Sequence, residues 1–153
     1  MNEVWNLSVI YTGFDDPAYE QDMQSLKNAV AEFAELTANL SQKAPREALV
    51  AGLHLQENLT ELAEKLASYA SLRQAANTKD GDAGSQMGRI MNILSGMAAP
   101  QAAFESWASS LPDLKALIAE DELLSQYEFL LSNMQENSRH IVRSEERRVG
   151  KEC

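Results

Sequence analysis

The sequence predicts an all-α protein: an antiparallel bundle of three long helices, followed by one short and one longer C-terminal helix. Apolar residues recur at three- and four-residue steps through most of the chain, which is the period of one helix face. No stretch alternates apolar and polar residues, as a half-buried strand does, for more than a few positions. Short loops join the three longest segments, and short loops favour antiparallel neighbours.

The first long helix is predicted over about residues 17–41, after an irregular, aromatic-rich segment over residues 1–14. Asp16 can accept hydrogen bonds from free N–H groups at the helix start, and Pro17 suits the first helical position. The apolar stripe of this helix consists of Met23, Leu26, Val30, Phe33, Leu36 and Leu40.

The second long helix is predicted over about residues 45–76, with Pro45 at its start. Its apolar residues follow one another at steps of four and three, as in a coiled-coil seam: Leu55, Leu59, Leu62, Leu66 and Tyr69. Glu61 and Lys65 stand four residues apart, so we expect them to form an ion pair on the helix surface. The polar segment 77–82 has the composition of a turn.

The third long helix is predicted over about residues 82–109, with Pro100 ending or kinking it. Its stripe is Met87, Ile90, Met91, Leu94 and Met97. After a break at Leu111-Pro112-Asp113 we expect a short helix over about 113–119 and a longer one over about 122–141. The buried face of the last helix is predicted to be Leu123, Leu124, Tyr127, Leu130, Leu131 and Met134.

Composition argues against several classes of partner. The chain has 13 Lys and Arg against 23 Asp and Glu, a formal net charge of −10. An acidic surface repels phosphate backbones and anionic headgroups, so we expect no nucleic-acid or membrane partner. No apolar run approaches the about 20 residues of a membrane span. The only cysteine is Cys153, and the N-terminus lacks a basic signal-peptide region, which together favour a cytoplasmic protein.

No catalytic, cofactor-binding or metal-binding residue is predicted. His54 begins the sequence H-x-x-E-N, in which Asn58 replaces the second histidine that an inverted zinc motif requires. His140 lies near the end of the last helix, where a solvated cation suits the helix dipole. The glutamates of the second helix fit a solvated face better than a di-iron site, because no Glu-x-x-His occurs.

Two further groups are predicted to be structural. The spacing of Gly81, Gly84 and Gly88 could suggest a phosphate loop, but no strand precedes them and no G-K-[ST] follows. The methionines of the third helix, Met87, Met91 and Met97, could form a soft binding surface, but their helical spacing favours a place in the core.

The last eleven residues, 143–153, read RSEERRVGKEC, which matches one reading frame of a common DNA-sequencing adapter. We therefore predict that residues 1–142 are a native helical domain and that residues 143–153 are not native. On this interpretation the chain is a fragment, and a missing catalytic motif says little about its parent. The alternative is a charged, solvated natural C-terminus.

Several phrases resemble the N-terminal region of oligoendopeptidase F-type enzymes. These are WNLS over residues 5–8, FDDP over 14–17 before a long helix, and LASYASLR over 66–73 at the end of the second helix. Residues 127–140 are similar to the helix that leads into the catalytic domain of that family. Asn6 departs from the more usual Asp of the first phrase.

The resemblance implies a zinc metallopeptidase of the thimet-oligopeptidase-like clan that cleaves short peptides in the cytoplasm. In that family H-E-x-x-H and a downstream Glu hold the zinc, zinc-bound water is the nucleophile, and the motif Glu is the general base. None of those residues maps onto this chain, so the resemblance implies zinc only for the parent. The helical region would wall a substrate channel, with the absent catalytic domain as its partner, and would be inactive alone. The alternative is a stand-alone helical-bundle binding or sensor module.

Overall fold

A computed structural model describes residues 6–151, with side chains throughout except at 141–146 and 149–151. Over the described residues the chain contains seven α-helices and no strand, which confirms the predicted all-α class. The helices are α1 Pro17–Ala38, α2 Pro45–Ala76, α3 Gly81–Ser95, α4 Ala98–Ser110, α5 Leu114–Glu120, α6 Glu122–Gln126 and α7 Glu128–Lys151. Trp5 of the WNLS phrase and Cys153 lie outside the described residues.

The chain divides into two compact units, each built from two separate segments. Unit 1 contains residues 1–35 and 54–98, and unit 2 contains residues 36–53 and 99–153. The large buried side chains of unit 1 include Tyr11, Tyr19, Met23, Leu26, Phe33, Leu66, Tyr69 and Ile90. Those of unit 2 include Leu36, Leu40, Leu49, Leu53, Phe104, Leu114, Ile118, Leu124 and Leu131.

The start of α1 follows the prediction. Asp16 Oδ1 accepts a hydrogen bond from the Ala18 N–H at 2.9 Å, and Pro17 is the first helical residue. Five of the six predicted stripe residues are buried, and Val30 is half-buried. The helix ends at Ala38 rather than at residue 41, and a 3₁₀ turn over Leu40–Gln42 replaces its last turn.

The α2 helix has the predicted bounds, Pro45–Ala76, and buries Leu59, Leu66 and Tyr69 of the predicted seam. The predicted ion pair with Glu61 is wrong. The Lys65 ammonium instead lies 2.7 Å from Asp22 Oδ2 on α1, because a less exposed carboxylate of a packed neighbour is within its reach.

The third long helix was predicted too long, since α3 and α4 are separate helices. The break lies at Gly96 and Met97, where the Gly96 N–H bonds back to the Ile93 carbonyl at 3.2 Å. Pro100 is the third residue of α4. The N–H groups of a first helical turn have no intrahelical acceptor, so a proline there costs no hydrogen bond and introduces no break.

The predicted short helix is confirmed as α5, whereas the predicted last helix is divided into α6 and α7. Asp121 caps α6 by accepting from the Leu123 N–H at 2.9 Å, and its carboxylate lies 3.1 Å from Arg46 Nη2. Tyr127 then separates α6 from α7, which continues beyond residue 141 to Lys151. The prediction that Leu130 is buried was wrong, since 42% of it is exposed.

Candidate functional site

Four aromatic rings form a cluster in unit 1, here called the aromatic cluster: Tyr11, Phe14, Tyr19 and Tyr69. The Tyr69 ring stands edge-on to Tyr11 and Phe14, with centroid distances of 5.1 and 5.3 Å. The Tyr19 ring has the same relation to Tyr11 and Phe14, at 5.2 Å each. Edge-to-face pairs stabilise beyond the area they bury, so this cluster holds the segment before α1 against α1 and α2.

Arg73 connects the aromatic cluster to the start of α3. Its guanidinium carbon lies 4.7 Å from the Phe14 ring centroid, and its Nη1 donates to the Tyr69 hydroxyl at 3.3 Å. Its Nη2 donates to Asp80 Oδ2 at 3.1 Å, while Asp80 Oδ1 accepts from the Asp82 and Ala83 N–H groups at the start of α3. Desolvation opposes ionisation of Asp80, but these donors outweigh it and lower its pKa.

A second polar chain joins the aromatic cluster to α1 and α2. The Tyr11 hydroxyl donates to Asp22 Oδ2 at 2.6 Å, and Lys65 Nζ lies 2.7 Å from the same oxygen and 4.8 Å from the Tyr11 ring centroid. Burial, followed by the bond to Asp22, raises the pKa of Tyr11 well above its ordinary value. Burial alone would raise the pKa of Asp22, but the bonds from Lys65 and Tyr11 outweigh it and lower this pKa.

We expect Asp22→Asn to destabilise the protein by about 1–2 kcal/mol at pH 7, because a charge-assisted bond is lost while Lys65 remains partly screened by solvent. The pKa of Asp22 is lower in the folded state than in the unfolded state. The stability that its carboxylate contributes is therefore fully present above the unfolded pKa and is lost as pH falls through the folded pKa. Urea unfolding of the wild-type protein and of Asp22→Asn at pH 7 and pH 3 measures this, and the difference between their free energies of unfolding should be smaller at pH 3. Asp113→Asn is the matched control, since the Asp113 side chain makes no capping bond. An equal difference at both pH values contradicts the prediction.

The aromatic cluster has no catalytic arrangement. Tyr11, Tyr19 and Tyr69 are at most 2% exposed, and no buried side-chain nitrogen or oxygen of the described residues lacks a partner. The Tyr11 hydroxyl donates to Asp22, the Tyr19 hydroxyl donates to Gln86, and the Tyr69 hydroxyl accepts from Arg73. These hydroxyls therefore tie the cluster to its neighbours in unit 1.

An open groove in unit 2 offers accessible polar groups. It has a volume of about 610 Å³ and lies between one face of α4 and one face of α7. The α4 residues that line it are Ala102, Glu105, Ser106 and Ser109, and the α7 residues are Leu130, Asn133, Met134, Asn137 and Ser138. Each set recurs at three- and four-residue steps, so each is one helix face. We call this the α4–α7 groove.

The histidines and glutamates weighed as metal ligands lie on the surface. The His54 side chain is 62% exposed, with its Nδ1 3.4 Å from Glu57 Oε2, and His140 is exposed. Glu61 and Glu64 are exposed as well. Within residues 6–151 the described side chains include no group of three His, Cys, Asp or Glu residues placed to hold a metal ion. No helix in that part of the chain combines the length and the apolar composition needed to cross a bilayer.

The structure places the glycines of α3 and the methionines of the predicted third helix differently from a phosphate loop and from a core stripe. A Cβ added at Gly81, Gly84 or Gly88 would meet nothing within 4 Å, so no neighbouring group requires these glycines. The core interpretation is wrong for Met91, which is 59% exposed, while Met87 and Met97 are half-buried. These methionines therefore do not form one buried stripe.

Sequence reasoning missed the α4–α7 groove. Asn133, Asn137 and Ser138 share one helix face in the sequence, but their polarity alone is equally typical of a solvated surface. These residues form the wall of a groove only because a face of α4 lies opposite them, and the sequence of α7 does not show this. No protein-family model matches this chain, and comparisons with curated proteins and with solved structures found no match either.

Proposed function

We propose that residues 1–142 are the helical N-terminal region of a zinc oligoendopeptidase of the oligoendopeptidase F type, whose parent cleaves short peptides in the cytoplasm. This region supplies no catalytic group. Its role is to help wall the channel through which unfolded peptides reach a zinc-bound water in the catalytic domain. The zinc ligands and the general base belong to that domain and not to the residues of this chain.

The observation that carries the proposal is the meeting of two phrases that resemble this family. Phe14 of the FDDP phrase and Tyr69 of the LASYASLR phrase pack edge to face at 5.3 Å. Arg73, which ends the second phrase, stacks on Phe14 at 4.7 Å. Phrases that stand about fifty residues apart in sequence thus share one packing role. This supports a common structural origin for both, rather than two separate coincidences of helical composition.

The test is an intact copy of the gene. We expect the reading frame to continue past the Val142 codon for several hundred codons and to contain H-E-x-x-H. The protein encoded by that frame should cleave a fluorogenic peptide and lose this activity with a zinc chelator, because the zinc-bound water is the nucleophile. A stop codon shortly after Val142 would overturn the proposal and would favour a stand-alone helical binding module.

A further inference from the structure

We propose that the α4–α7 groove binds short peptides in an extended conformation, with the row Asn133 and Asn137 pairing with the peptide backbone. The choice of a peptide as the ligand rests on the proposed function. The choice of this groove, and of the bound conformation, rests on the groove's own residues.

The spacing of the two carboxamides carries the argument. Asn133 and Asn137 stand four residues apart on α7 and both line the groove. Four residues of α-helix rise about 6 Å. Alternate residues of an extended peptide repeat at about 6.6–6.8 Å, a closely similar distance. Each carboxamide carries a donor and an acceptor, so it can pair with one backbone C=O and one backbone N–H. Two such groups can therefore hold two alternate residues of one extended strand.

The apolar groups of the groove suit the side chains of that strand. Ala102 contributes from α4, and Leu130 and Met134 contribute from α7, so the lining is mixed rather than wholly polar. Successive side chains of an extended chain point to opposite sides. One set can therefore lie on these apolar groups while the other set faces solvent. Methionine adapts to differently shaped partners, which suits a site that accepts several sequences.

Charge favours peptides with basic residues. Glu105 lines the groove from α4, with one carboxylate oxygen accepting from Gln101 Nε2 at 2.7 Å. No lysine or arginine is among the described lining residues, and the chain as a whole carries a formal net charge of −10. The same field repels anionic ligands such as nucleotides. The ligand class is therefore a short, extended, basic and amphipathic peptide.

The experiment measures binding of one defined probe to the present chain. The probe is fluorescein-labelled Leu-Lys-Leu-Lys-Leu-Lys-amide, followed by fluorescence anisotropy. We expect saturable binding, and about tenfold weaker binding by the double variant Asn133→Ala with Asn137→Ala, because two neutral hydrogen-bonding groups are removed. Alanine is a better helix former than asparagine, so α7 should be retained, and circular dichroism checks this. The matched control is Asn58→Ala, an exposed asparagine of α2 that should leave affinity unchanged.

A second probe leaves the protein unaltered. The same peptide with alternate backbone nitrogens methylated keeps its side chains and charge but loses the N–H groups that would donate to the asparagine Oδ1 atoms. We expect it to bind about threefold more weakly than the unmethylated probe, because the N–H half of the proposed backbone pairing is lost. Equal binding of the two probes, an equal loss in Asn58→Ala, or no saturable binding would overturn the inference.

These outcomes are separable from those of the proposed function. If the probe binds as expected but the intact gene stops shortly after Val142, the groove inference stands and the peptidase parent falls. If the gene encodes an active peptidase and the probe does not bind the groove, the groove inference alone falls.

Discussion

Replacing Tyr69 with alanine is expected to lower the free energy of unfolding by about 3–5 kcal/mol, the range for truncating a large buried aromatic side chain. Tyr69 is 1% exposed, and its ring contacts those of Tyr11 and Phe14 at 5.1 and 5.3 Å. Truncation would leave a cavity beside both rings and would also remove the acceptor of Arg73 Nη1. Urea unfolding followed by circular dichroism measures the loss.

Two further variants separate the contribution of ring packing at Tyr69. The first removes only the hydrogen bond to Arg73, and the second removes an aromatic ring that is not buried. Tyr69→Phe keeps the ring and loses only the bond to Arg73, so it should cost about 1 kcal/mol. Phe129→Ala removes an aromatic ring that is 81% exposed, and it should change stability by no more than about 0.5 kcal/mol. A loss below about 1 kcal/mol for Tyr69→Ala would show that the aromatic cluster does not hold unit 1 together.

Replacing Gly52 with alanine is expected to destabilise the protein by about 1–3 kcal/mol, the usual cost of overpacking a core. The new Cβ would lie 2.6 Å from Cζ of Phe104 and would also collide with its Cε2. Phe104 is fully buried, so its ring has little room to move away. Alanine is more favourable than glycine inside a helix by about 1 kcal/mol. The steric cost of the collision with Phe104 must therefore exceed this gain before the variant becomes less stable than the wild type.

The matched control is the same substitution on α3. A Cβ at Gly84 would meet nothing within 4 Å, so Gly84→Ala should stabilise the protein by up to about 1 kcal/mol. Combining Gly52→Ala with Phe104→Leu should cost less than the sum of the two single changes, since the smaller side chain relieves the collision. The prediction is wrong if Gly52→Ala is as favourable as Gly84→Ala.

Local signals were sufficient to locate most of the helices. Pro17 and Pro45 open α1 and α2 at the predicted positions, because proline favours the first helical position whatever the tertiary context. The sequence predicts a break at Pro100, whereas the helix breaks at Gly96. A proline breaks a helix only where its N–H would have bonded, and the sequence does not show that Pro100 falls within a first turn.

Contacts between residues on different helices cannot be predicted from the periodicity of one helix. The pairing of Lys65 with Asp22 instead of Glu61 depends on which helix lies alongside α2. The exposure of Leu130 has the same origin, since a stripe shows which residues share a face but not whether another helix covers it. The α4–α7 groove needs two faces from separate helices, so no single segment predicts it.

The single helix α2 contributes Pro45–Leu53 to unit 2 and His54–Ala76 to unit 1. Residues 36–53 interrupt unit 1 in sequence, so no single cleavage of the chain can release either unit intact. A shortened chain that stops after Ala98 would retain both segments of unit 1, but its residues Leu49 and Leu53 would lack the rest of the unit 2 core in which they are buried. Truncation alone is therefore expected to leave buried apolar side chains uncovered, and isolating unit 1 requires both an end at Ala98 and a designed linker in place of residues 36–53.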